Sequence, residues 1–72
     1  MSKANAKDAV YRAKCRTTWS TYELVFFKYI QAMYEKNKFD DCKGYLDDLN
    51  NFLIQKQAIL SELRRELFKE EK

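Results

Sequence analysis

The sequence has no proline and no histidine, and its single glycine is Gly44. Without proline nothing inside the chain obliges a helix to stop, and a lone glycine leaves little scope for tight reversals. Without histidine a Ser-His-Asp set is impossible. The usual zinc constellations are also out of reach, because Cys15 and Cys42 are the only cysteines. The longest apolar run, Leu24 to Phe27, is far too short to span a bilayer. Met1-Ser2-Lys3 lacks the apolar stretch of a secretory signal. A cytoplasmic protein with no membrane partner is therefore expected. Strands have no support, since no alternating run is bounded by Asn-Gly or Asp-Gly.

What is present points to helices and a real core. The 72 residues are enough for one domain, 1–72, and the five tyrosines, five phenylalanines and one tryptophan argue against disorder despite 35% charged residues. A chain this short needs long regular elements or a partner to be stable. The net charge of +3 is uneven, with +4 in the first sixteen residues.

Leu46, Leu53, Leu60 and Leu67 recur every seven residues, with Cys42, Leu49 and Leu63 between them at spacings of three and four. This is a heptad seam on one helix, and Tyr45, Phe52 and Ile59 widen it into a stripe. The spacing predicts a helix over about 40–70. In the first half, Tyr11, Cys15, Thr18, Tyr22, Val25, Tyr29 and Ala32 keep one phase, which predicts a single helix over about 3–35. Thr17 to Ser20, with a capping-box pair Ser20 and Glu23, allows a bend near 17–20. Between the helices, Asn37 suits a left-handed helix end and Asp40 suits an N-cap. The fold expected is thus all-α: an antiparallel hairpin of two long helices that dimerises into a four-helix bundle of coiled-coil type.

Trp19, Tyr22, Phe26, Tyr29, Ile30 and Met33 make an apolar stripe on the first helix, with Phe27 and Tyr34 on its flank. One facing helix covers only a narrow seam, so a second contact surface is implied. Trp19, Phe26, Phe27, Ile30, Tyr34, Ile54 and Phe68 are the candidate protein interface. The function expected is a small non-enzymatic interaction or regulatory module acting as a homodimer or on another protein. The alternative is a nucleic-acid-binding helical dimer using Lys3, Lys7, Arg12, Lys14 and Arg16, with Tyr11 and Trp19 nearby for stacking.

No catalytic, cofactor or metal site is expected. Asp40 and Asp47 are two helical turns apart, as are Asp41 and Asp48, and carboxylates about 10 Å apart do not share an ion. Cys15 and Cys42 sit on core faces but far apart along the hairpin, too distant to bridge. Lys56 interrupts the aliphatic seam opposite Ser20 to Glu23. It either snorkels to water or forms a polar layer with Glu23 and Ser20 or Thr21 that fixes register.

Overall fold

The structure is a computed structural model describing residues 5–68. All of its regular elements are helical: α1 Ala6–Cys15, α2 Thr21–Glu35, α3 Phe39–Phe52 and α4 Gln57–Leu67, with a 3-10 turn Ile54–Lys56 leading into α4. Each of the two long helices expected from the sequence is therefore broken once. Two straight helices of about 30 residues would make a rod about 45 Å long. The described chain instead measures 34 × 23 × 21 Å, because each rod is folded in half. α1 packs against α2 and α4, and α3 packs against α2 and α4, so the helices form a square around one core.

The first break comes from local side chains. Trp19 turns back and donates its indole N–H to the Ala13 carbonyl at 3.2 Å, occupying an acceptor at the end of α1. One residue later the capping box closes, with Glu23 N–H on Ser20 Oγ (3.1 Å) and Ser20 N–H on Glu23 Oε1 (2.9 Å). The 4-3-4 phase running through this segment belongs to the outer surface: Tyr11, Cys15, Thr18, Tyr22, Val25 and Tyr29 are all exposed. Periodicity on an exposed stripe places no constraint on the core, so the break costs nothing there. The face of α1 that is buried is Ala6, Ala9, Val10 and Ala13, small side chains that let neighbouring helices approach closely. Asn5 caps it, its Oδ1 accepting from the N–H groups of Lys7 and Asp8.

α2 ends as its sequence suggests. Asn37 takes φ 63°, Lys38 N–H reaches the Met33 carbonyl at 2.9 Å, and Asn37 N–H reaches the Tyr34 carbonyl at 3.1 Å. These are the two bonds of a Schellman end. α3 then starts one residue earlier than expected, at Phe39, without a side-chain cap from Asp40. Phe39 packs on Tyr34 (5.2 Å between ring centres) and on Phe68 (5.9 Å), and Tyr34 packs on Phe68 (5.4 Å). This aromatic knot ties the α2–α3 turn to the end of α4. The Tyr34 hydroxyl adds a bond to the Leu67 carbonyl at 3.1 Å.

The second break, at Leu53, has no proline or glycine behind it. Asn50 and Asn51 are weak helix formers in the last turn of α3. Side chains from α4 then take over: Gln57 donates to the Asn50 carbonyl at 2.9 Å, and Asn50 Nδ2 donates to Ser61 Oγ at 2.9 Å. Turning here brings Leu60, Leu63 and Leu67 onto the same core as Leu46, Leu49 and Cys42, along with Phe27, Ile30 and Tyr34. Leu53, placed in mid-seam by the heptad pattern, is only half-buried at the corner.

Candidate functional site

Both breaks lie at the same end of the square, and Lys56 joins them. Its Nζ is 2.7 Å from Glu23 Oε1, 3.0 Å from the Thr18 carbonyl and 4.5 Å from the centre of the Trp19 ring. The ammonium therefore bonds a carboxylate and a helix-linker carbonyl while lying over an indole face, and all three contacts reach α2 or the segment before it. Lys56 and Glu23 keep only 22% and 18% of their side-chain surface exposed, so this pair is less screened than a surface ion pair. The Lys56 hydrogen bond, followed by the Ser20 N–H, holds the Glu23 carboxyl below its ordinary range. Of the two expectations for Lys56, it is the polar contact with Glu23 that forms. Trp19 meanwhile stands edge-on to Phe27 at 4.8 Å, beneath the ammonium.

Beside this clamp lies the exposed face of α2 and α3. Tyr22, Val25, Phe26 and Tyr29 recur at spacings of three and four and share one side of α2. Phe26 and Tyr29 both meet Tyr45 of α3 edge-on, at 6.3 and 6.1 Å. Burial, and to a lesser degree the neighbouring Tyr29, raises the Tyr45 hydroxyl above its usual range. Phe52 follows Tyr45 by seven residues and so continues the face downward along antiparallel α3. Tyr22 is 84% exposed, Tyr29 56%, Phe52 72% and Ile54 69%, a cluster of open apolar side chains, whereas on α1 the exposed large apolar residue is Tyr11. At the lower end a cleft of about 320 Å³ is lined by Glu23, Lys56 and the Phe52–Gln55 corner.

The residues expected at an interface divide between this face and the interior. Trp19, Phe27, Ile30 and Tyr34 are buried inside the chain's own core. As interface residues of the free surface they are corrected, because folding each long helix in half covers their flank with α1 and α4. Phe26 is half-buried against Tyr45, and Phe68 is half-buried in the aromatic knot. Ile54 alone of the seven is well exposed. Tyr22, Tyr29 and Phe52, which the sequence pattern places in apolar stripes, are instead exposed. Their signal was present as the excess apolar arc of the first helix, but the pattern could not tell which flank the chain would cover itself.

The basic arm is dispersed. Arg12 pairs with Glu66 at 2.7 Å and Arg16 with Glu62, which binds α1 to α4 and neutralises both guanidiniums. Lys7 and Lys14 are exposed on α1, and Lys3 lies outside the described residues. A second cleft of about 430 Å³, between α3 and α4, is lined by Asp47, Asn50, Ser61, Arg64, Arg65 and Phe68. Arg64 Nε lies 3.1 Å from Asp47 Oδ1, but the N–H is buried without a well-directed acceptor, so the contact is an ion pair and not a hydrogen bond. Cys42 is buried and donates to the Ile30 carbonyl at 3.6 Å, whereas Cys15 is exposed on α1. Among the described residues no three acidic or cysteine side chains gather as a metal site, and no helix is long and apolar enough to cross a membrane.

Comparison of the chain with protein-family models, with curated proteins and with solved structures finds no match.

Proposed function

We propose that this chain is a small non-enzymatic protein-interaction module whose docking surface is the open α2/α3 face. The observation that carries the reading is the exposure of Tyr22, Tyr29 and Phe52 on one side of a molecule that has already formed its own core. Aromatic side chains supply large contact area at small cost in rotamer freedom, which is why they concentrate in the central parts of interfaces. The Lys56 clamp and the Tyr45 contacts hold the helices beneath this face in fixed relation, so a partner meets a surface that is already organised. A protein is favoured over a nucleic acid as partner because the exposed surface is aromatic, while Arg12 and Arg16 of the basic arm are paired with Glu66 and Glu62 of α4.

A photo-reactive phenylalanine analogue placed at Phe52 in the expressing cell tests this directly. A discrete cross-linked species is expected there and none from the same group at Lys14, on α1. Equal labelling at both positions, or no adduct at Phe52, rejects the face as a docking surface.

A further inference from the structure

We propose that the occupant of the α2/α3 face is the same face of a second copy of this chain, related by a two-fold axis running between α2 and α3 and parallel to them. This inference rests on the reading of the face as an interaction surface and names its partner.

The argument comes from the charges at its two edges. Along α3, beyond Tyr45 and Phe52, the edge carries Asp41 and Asp48, both exposed. Along α2, Lys28 lies beyond Val25 and Tyr29 on the opposite edge, and Lys36, seven residues after Tyr29, continues the Tyr22–Tyr29 line at the end of the helix; both are exposed. Glu35, seven residues after Lys28 and so on the same edge, accepts from Gln31 at 3.2 Å, and with Lys28 and Lys36 it leaves the α2 side net positive. The face is thus an aromatic strip whose α3 side is negative and whose α2 side is net positive. A partner of single-signed charge would be attracted by one border and repelled by the other. A second copy turned by the two-fold presents its borders in the reverse order, so each negative edge lies on a positive one.

The levels along the helices agree with that pairing. The Tyr29–Tyr45 contact fixes the antiparallel register of α2 and α3. Counting outward from it, Asp48 falls two residues from the level of Lys28 and Asp41 three from that of Lys36, offsets of about 3 and 4.5 Å along the axis. A rotation about an axis parallel to the helices keeps every level, so the partner's lysines come within side-chain reach of these aspartates. The same operation lays Tyr29 over the partner's Tyr45 and buries Tyr22 and Phe52.

Charge exchange between copies provides the test. Asp48→Lys alone sets like charges against Lys28 at both symmetric contacts, and Lys28→Asp alone does the same with aspartates. When the two purified variants are mixed, both contacts regain opposite charges. Sedimentation equilibrium should show wild-type dimerisation, with each variant alone self-associating at least about tenfold more weakly and the mixture recovering to within about threefold of wild type. Both positions are exposed, so thermal melts at low concentration should confirm that each variant is folded. A wild-type monomer up to about 1 mM, or variants that dimerise as wild type does, would overturn the inference. If the photo-reactive group at Phe52 then still yields an adduct with another protein, only the second-copy assignment falls. If it yields nothing, the docking face falls too.

Discussion

Lys56 Nζ stands 2.7 Å from Glu23 Oε1, and that contact holds together the two places where the chain abandons its long helices. Glu23 caps α2 immediately after the first interruption, and Lys56 closes the 3-10 turn that forms the second. One ion pair therefore sets the angle at both corners of the square.

Replacing Lys56 with leucine should lower stability by about 2 kcal/mol, the scale of charge-assisted hydrogen bonds removed from a partly covered site. The heptad pattern alone argues for the opposite sign, because leucine completes the apolar seam. The contacts to Glu23 and the Thr18 carbonyl decide against it. Urea unfolding of the variant is the measurement, and a gain in midpoint would show that the clamp contributes nothing.

Stability should also fall in acid through the same pair. Lys56 first, and the Ser20 N–H second, depress the Glu23 carboxyl below its ordinary value of 4.5, and Arg16 does the same to Glu62. For a carboxylate depressed in the folded state, the stabilisation is complete above that ordinary value. It is lost as pH falls from there through the lowered folded value. The unfolding midpoint should be flat from pH about 7 to about 5 and then decline, and Glu23→Gln should lower the plateau and flatten the decline. A wild-type midpoint unchanged down to pH about 3 would contradict the assignment.

Much of this organisation was legible in the sequence, and the rest was not for identifiable reasons. Composition made the helices plain, and Asn37 and the Ser20–Glu23 box were readable locally, while the contact of Lys56 with Glu23 was one of two readings that the sequence left open. The corner at Leu53 was not readable, and the one near Ser20 only in part, since the sequence allows a bend at 17–20 without requiring it. At Ser20 the cap argues for a break and the apolar phase for continuity, and the residues that carry the phase line the outside. At Leu53 the break is held by Gln57 and Ser61 bonding with Asn50, and its local sign, the weak helix formers Asn50 and Asn51, is outweighed by the leucine heptad. The interface residues were misplaced by the same error, since a straight first helix leaves Phe27 and Tyr34 open while a folded one covers them.

The core leucines should rank by what they touch and not by seam position. Leu60→Ala and Leu63→Ala remove side chains that are about as buried as any in the protein and should each cost about 3 to 5 kcal/mol. Leu53→Ala, central in the heptad, should cost less than half as much because the corner leaves it half-exposed. Leu67→Ala should approach the Leu60 value, as Leu67 is buried beside the aromatic knot. Chemical denaturation of the four variants gives the order, and a Leu53 effect equal to that of Leu60 would restore the unbroken seam.

The two thiols should react at very different rates. Cys15 is exposed, while burial raises the Cys42 thiol to about 11 and encloses it in the core. The thiolate is the reactive form, so Cys42 is protected both by its protonation and by access. Iodoacetamide under native conditions should add one label at Cys15, with the second appearing only on unfolding. Simultaneous labelling of both would mean that α3 leaves the core far more readily than its packing implies.

Gly44 offers a change that should strengthen the protein. It sits within α3 without a positive φ, is exposed, and a β-carbon placed on it meets nothing within 4 Å. Glycine in a helix interior costs about 1 kcal/mol relative to alanine because it has more backbone freedom to lose on folding. Here neither a turn nor a close neighbour within the chain compensates for that loss. Gly44→Ala should therefore raise stability by about 1 kcal/mol, visible as a higher urea midpoint with an unchanged slope. The substitution also reports on the second copy. Gly44 lies further round α3 than Asp48, outside the strip covered in the two-fold pairing, so the dimerisation constant should stay as in wild type while the fold gains stability. A variant that is more stable as a monomer yet dimerises poorly would move the contact outward, onto the backbone at Gly44.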